Sequence, residues 1–273
     1  MSLSNLTISN TLPVGQSFLW HRRIVDEEAV EEFSRAVDNP PRVVCLRQTP
    51  TDLYYTAIHP TVDATEEDFR LGWTRRWLED YFHLDKHPDL PALYANWRQS
   101  DPGLFGRVEI DQRAVGVRLL RQDPWECLLR WVILSGHGAH SSFITSTNNH
   151  IPRISSLMHK LAIHFSPVLL TLDDTPYHLL PGPEQLPIKL ESILRELGFG
   201  YRAGFIESSL ATLKERFGDS PSEIQKGLES WRLEDVDLVR ENLIGLKGVG
   251  RKVADCVMLM CLDKVRYRLH IFR

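Results

Sequence analysis

Lys252 is the residue whose neighbours best equip it for nucleophilic chemistry. It follows Gly248, Val249, Gly250 and Arg251 and opens the apolar run Val253 to Leu262. Two glycines one residue apart, directly before a run of helix formers, allow a tight turn that directs backbone N–H groups outward at a helix N-terminus. The helix dipole and the adjacent Arg251 both oppose protonation of the Lys252 amine, and a neutral lysine amine attacks electrophilic carbon and persists as a Schiff base. The same turn can hold a phosphate.

With a short helix expected from Asp237 to Ile244, the segment reads as a helix-hairpin-helix in which Gly245, Gly248 and Gly250 shape a hairpin that grips one DNA strand through main-chain contacts. From Gly245 to Arg273 seven basic residues stand against Asp255 and Asp263, on a chain of 273 residues with a formal charge of -4. A basic terminus on a mildly acidic protein is an electrostatic footprint for phosphate, which needs a local positive surface and not a positive total. On spacing alone a plainer reading stays open, in which Gly-x-Gly separates two helices and the charges are solvated. A Walker A loop is excluded because the GxxxxGK[ST] spacing is absent, and the glycines do not open the βαβ unit of a dinucleotide fingerprint.

The elements that must position this segment differ along the chain. In the first hundred residues, β-branched and aromatic residues crowd between prolines in PRVVCLRQTPTDLYYTAIHP, as in short antiparallel strands. Phe69, Trp73, Trp77 and Tyr81 then recur at helical spacing and read as a packing stripe. From about Leu90 helices dominate: PALYANW, PWECLLRWVIL, IPRISSLMHKLAIHF, IKLESILRELGFG, RAGFIESSLATLKERF and SEIQKGLESW, separated by Pro/Gly turns. The four cysteines, Cys45, Cys127, Cys256 and Cys261, show no ligand cadence and suit free thiols in a reducing compartment. No histidine spacing suggests a metal site, and neither a signal peptide nor a bilayer-length apolar run is present in the sequence, so a secreted or membrane protein is not expected.

Five blocks in order, LPVGQSFLW, GVRLLRQDPWECLL, TSTNNHIPRI, LGFGYRAGFI and LKGVGRKVADCVMLMCLDK, resemble the eukaryotic 8-oxoguanine DNA glycosylase/AP lyase family of the helix-hairpin-helix superfamily. The resemblance implies an α+β fold: a TATA-binding-protein-like antiparallel domain, placed at residues 1–105, and a mostly helical glycosylase domain at 106–273. It implies flipping of 8-oxoguanine paired with cytosine out of duplex DNA, attack on C1′ by a lysine, base release and β-elimination. Lys252 falls on the nucleophile. Gly15 falls on the glycine whose carbonyl reads the N7 hydrogen of the oxidised base. Asn148, Arg153 and Arg202 fall on contacts to the orphaned cytosine, and Cys256 and Met260 on pocket-lining positions, although residues one turn apart also suit an ordinary core. No cofactor or metal is implied. The expected partner is double-stranded DNA containing 8-oxoguanine:cytosine, without a membrane. The expected state is a monomer, in the nucleus with mitochondrial supply as an alternative.

Two departures from the family stand out. After Lys264 the chain reads VRYRLHIFR in place of the segment carrying a catalytic aspartate, so the helical domain is expected to be incomplete at its C-terminus. Residues 130–142, RWVILSGHGAHSS, have no counterpart and are expected to be an insertion that displaces the Asn148 turn. Impaired base release follows as an expectation, with a non-catalytic or lyase-only DNA-binding isoform as the alternative function. An endonuclease III-like specificity is disfavoured, since its iron-sulfur cysteine set is absent.

Overall fold

The computed structural model describes residues 5–25, 30–86, 89–107, 115–134, 150–220 and 222–264. The chain divides into two compact units, one of residues 1–121 with 168–179 and one of residues 122–167 with 180–273. The fold class is α+β, as expected.

In the first unit, β1 (His21–Val25), β2 (Val30–Val37), β3 (Arg42–Gln48) and β4 (Leu53–Ile58) form an antiparallel meander in sequence order. Side chains alternate across a strand, and β3 uses both of its faces. Val44 and Leu46 join Phe33, Leu12, Trp20, Leu78, Tyr81, Phe82 and Leu120 in the main core of the unit. Val43 and Cys45 join Ala36 and Tyr177 on the other side. Around the sheet lie α1 (Ile8–Thr11), α2 (Val62–Leu71), α3 (Trp73–Tyr81) and α4 (Leu90–Ser100).

A second antiparallel pair, β5 (Val168–Leu172) and β6 (Thr175–His178), belongs to this unit. The Tyr177 hydroxyl meets Ser34 Oγ of β2 at 2.6 Å, with both residues buried. This contact, and the tie of residues 116–120 to the N-terminus, hold these segments in the first unit. The Gln16 amide donates to Arg118 O at 2.8 Å and accepts from Leu120 N at 3.0 Å.

The aromatic stripe is corrected. Gly72 adopts a left-handed φ of 66°, which ends α2 and begins α3, so Phe69 and Trp77 do not share one helix. Trp77 and Tyr81 stack at 4.8 Å and pack beside Trp20, whereas Phe69 is 94% exposed.

The second unit contains α5 (Pro124–Leu134), α6 (His150–Phe165), α7 (Glu191–Glu196), α8 (Arg202–Phe217), α9 (Glu223–Ser230), α10 (Val236–Ile244) and α11 (Arg251–Cys261). α5 is apolar around most of its circumference because it is the central helix, touching α6, α8, α9 and α11. Asp123 caps its start by accepting from Glu126 N at 2.9 Å. Of the 130–142 segment, Arg130–Leu134 continues α5, and the remainder lies outside the described residues, as does Asn148.

Candidate active site

The site is built on α10, the hairpin Gly245–Gly250 and α11. Asp235 begins α10 by accepting from Asp237 N at 2.8 Å, an N-cap that satisfies otherwise unpaired amides. Val239 and Leu243 of α10 are buried, as are Leu246 and Val249 of the hairpin, so the apolar residues of LKGVG anchor the turn while Lys247 and Gly250 remain exposed. Arg240 ties the two helices together, its Nε donating to Asp255 Oδ1 of α11 at 3.0 Å while its guanidinium also pairs with Asp237. Asp255 is thereby engaged with α10.

The three hairpin glycines are not equivalent. Gly248 has φ +87°, and a Cβ on it would lie 2.7 Å from the Phe205 ring. Gly245 is an ordinary right-handed C-cap at φ -64°, its amide donating to Glu241 O at 3.0 Å. Gly250 is extended at φ -89° with open space where a Cβ would stand. Glycine is required sterically only at Gly248.

α11 starts without a side-chain cap at Gly250, and the amide of Ala254 donates to Gly250 O at 2.9 Å. The preceding first-turn amides, with the helix dipole behind them, form an anion-binding end. Lys247, Arg251 and Lys252 are exposed around it. Lys252 sits in the first turn, and half-buried Cys256 lies one turn on. Burial pushes the Cys256 thiol above its ordinary pKa, and Lys252 nearby pulls the other way, so the two side chains share one face of α11. Met260, a further turn on, is fixed through its carbonyl, which accepts from Gln122 N at 3.0 Å, and its sulfur, which accepts from buried Arg130 at 3.0 Å.

Two residues not singled out by the sequence support the hairpin from α8. Ser209, 4% exposed, donates from Oγ to Lys247 O at 3.0 Å, and the Phe205 ring rests against Gly248. No short-range pattern reveals them, because their partners lie about forty residues further along the chain.

Arg202 begins α8, half-buried, with its guanidinium 4.7 Å from the Tyr201 ring centroid. Burial lowers its pKa; Tyr201 opposes the shift and the charge of Arg153 adds to it. The structure therefore brings Arg153, exposed on the first turn of α6, into the field of Arg202. Two arginines within mutual electrostatic reach make a place for hydrogen-bond acceptors. Gly15 lies in the first unit, in a turn after α1, where its φ of +83° calls for glycine whatever its carbonyl does. Among the described residues no group of three or more His, Cys, Asp or Glu side chains is placed to hold a metal, and no helix is long and apolar enough to cross a membrane.

Comparison with known proteins gives this geometry a lineage. The family model for the 8-oxoguanine DNA glycosylase N-terminal domain matches residues 1–128. The N-glycosylase/DNA lyase of Saccharomyces cerevisiae is 33% identical over 272 residues, covering 95% of this chain. Residues 1–128 are thus similar to the 8-oxoguanine DNA glycosylase N-terminal domain, and the chain as a whole is similar to N-glycosylase/DNA lyases. The N-glycosylase/DNA lyase OGG1 of Arabidopsis thaliana is 29% identical over 96% of the chain. The chain spans 64% of the yeast protein and 62% of the Arabidopsis one, less than two-thirds of either glycosylase. The Clostridium acetobutylicum 8-oxoguanine glycosylase/lyase, solved in complex with double-stranded DNA containing cytosine opposite 8-oxoG, superposes with a TM-score of 0.67 at 25% identity. That superposition covers 95% of this chain and 74% of the bacterial glycosylase.

Proposed function

We propose that this chain acts in base-excision repair, excising 8-oxoguanine opposite cytosine from duplex DNA and cleaving the resulting strand through an imine on Lys252. The observation that carries the reading is the exposed Lys252 in the first turn of an uncapped helix, directly behind a hairpin held from below by Phe205 and Ser209. The open amides and flanking cations hold phosphate, and the lysine then meets the sugar next to it. Its Nζ lone pair forms a bond to C1′ as the bond from C1′ to N9 breaks, and the base leaves with that electron pair and takes up a proton. Opening of the sugar ring gives the iminium. Loss of a C2′ proton then expels the 3′ phosphate, and hydrolysis returns the lysine.

The same reading assigns the Gly15 carbonyl to the N7 hydrogen that 8-oxoguanine has and guanine lacks, since guanine presents an acceptor there. It assigns Arg153 and Arg202, with Asn148, to the cytosine left behind, and the wall of the base site to Cys256 and Met260. The chain is proposed to act as a monomer.

Borohydride trapping tests the proposal. Purified Met1 to Arg273 is mixed with one duplex containing 8-oxoguanine opposite cytosine and one containing an abasic site, with Lys252→Ala as control. A covalent adduct with the lesion duplex, lost in the control, is the expected result. An adduct with the abasic duplex alone marks a lyase-only chain. No adduct with either, beside salt-dependent duplex binding, marks a non-catalytic DNA-binding module and overturns the enzymatic reading.

A further inference from the structure

We propose that α8 couples recognition of the base opposite the lesion to the placement of the Lys252 hairpin, with Phe205 and Ser209 as positioning residues. The proposal rests on the functional reading above for what Arg202 and Lys252 meet, but its structural basis is independent of the chemistry.

Arg202, Phe205 and Ser209 are spaced three and four residues apart, so they lie along one face of α8. A continuous series of contacts follows from the first of them. The Arg202 guanidinium stands 4.7 Å from the Tyr201 ring, and the Tyr201 ring meets the Phe205 ring edge-on at 5.7 Å. Phe205 in turn leaves no room for a Cβ on Gly248, with three of its atoms at 2.7, 3.0 and 3.1 Å from where that carbon would be. One turn further along α8, the buried Ser209 hydroxyl holds the Lys247 carbonyl at 3.0 Å. Lys247 and Gly248 feed directly into the first turn of α11, where Lys252 stands.

The hairpin is therefore gripped at two consecutive residues by the helix whose first residue reads the opposite base. A helix is stiff over this length, and close-packed contacts transmit a displacement instead of absorbing it. When Arg202 finds the acceptor edge of cytosine, α8 is held in one orientation and the hairpin with it. When adenine stands there, the guanidinium fork lacks its matched acceptors and that restraint is lost. Partner-base preference would then be expressed in the affinity and reactivity of a hairpin that does not itself touch the partner base.

The test is a double-mutant cycle of Arg202→Ala and Phe205→Leu, with Ser209→Ala as a milder second probe should Phe205→Leu impair folding. Two readouts are taken: affinity for a duplex carrying a tetrahydrofuran abasic analogue opposite cytosine or adenine, and the rate of borohydride-trapped imine on abasic duplexes with the same partners. Coupling predicts that Phe205→Leu or Ser209→Ala lowers the cytosine-over-adenine ratio by roughly 2- to 30-fold, and that the effect vanishes in the Arg202→Ala background. A purely structural role for α8 lowers both partners equally and leaves the ratio unchanged, and that result overturns the proposal, as does equal affinity for the two partners in the unaltered chain. Absence of any imine in the unaltered chain removes the enzymatic reading instead, and the affinity cycle still decides the coupling.

Discussion

Gly248 and Gly250 look interchangeable in the sequence, yet replacing each by alanine should have very different consequences. At Gly248 an alanine must hold φ +87°, a left-handed conformation that costs an L-residue about 1–2 kcal/mol. Its methyl would also sit 2.7 Å from Phe205 Cδ2, 3.0 Å from Cγ and 3.1 Å from Cβ, contacts at the root and ring of a bulky side chain. Overpacking of this kind adds about 1–3 kcal/mol, so Gly248→Ala should destabilise the helical unit by roughly 2–5 kcal/mol. At Gly250 the backbone is extended and nothing lies within 4 Å of a built Cβ. Reduced freedom of the unfolded chain contributes about 0.4–1 kcal/mol in favour of alanine. Alanine is a poorer N-cap than glycine by a similar amount, so the net change should stay within about 1 kcal/mol of zero. Urea unfolding followed by tryptophan fluorescence reads the difference, since buried Trp125 and Trp231 belong to the same unit as the hairpin. If Gly248→Ala costs no more than Gly250→Ala, the hairpin does not sit against Phe205 as described and the reasoning fails. Duplex affinity should fall in the same order, with Gly248→Ala the weaker binder.

Three further outcomes follow from other parts of the chain. Burial alone would raise the Asp68 pKa, but hydrogen bonds from Thr74 N, Thr74 Oγ1 and His59 Nε2, with Arg42 nearby, hold it below its ordinary 3.8. The ionised form is thus favoured by folding, so its contribution is complete above the unfolded value and is lost as pH falls through the native one. Urea midpoints measured from pH 6 to 2 should show an acid limb that Asp68→Asn flattens. Tyr177→Phe strands the buried Ser34 hydroxyl and should cost about 1–3 kcal/mol in urea unfolding of the first unit; a change under a few tenths would mean that β6 is not docked through this pair. Cys256 is half-buried, whereas Cys127 and Cys261 are fully buried and burial raises Cys45 to about 11. A thiol reagent applied to the native chain should therefore label Cys256 first, as mass spectrometry of the peptides would show.

The parts of the molecule that were legible in the sequence are those governed by neighbours in the chain. RAGFIESSLATLKERF coincides with α8, and the expected Asp237–Ile244 helix is α10 short of one residue. The Lys252 hairpin was readable because glycines, cations and an apolar run are adjacent there. The β5–β6 hairpin was not anticipated, although Asp173 and Asp174, at φ 46° and 61°, form a two-residue connection of the kind that joins antiparallel strands. β2 was obscured because Glu32 makes VEEFSRAV look solvent-facing, while the fold buries that carboxylate against Arg23 and Arg47. The Phe69 stripe misled because periodicity continues through Gly72 although the helix does not. Of the site, the support from Phe205 and Ser209 was invisible for the same reason as the Ser34–Tyr177 pair: a contact between distant segments leaves no mark on local spacing.

The β5–β6 hairpin has a consequence for the order in which the protein can be built. It is encoded after α5 and α6, yet it completes the sheet unit that begins at the N-terminus. On a ribosome, the first unit cannot close until residue 179 has emerged, by which time the central helix of the other unit has been exposed with its apolar surface uncovered. Neither unit is a continuous stretch of chain, so a cut at 121/122 would separate the four-stranded sheet from the β5–β6 hairpin that meets it through Tyr177. Synthesis of the second unit therefore begins before that of the first is complete, so the two are interleaved in time and not made one after the other.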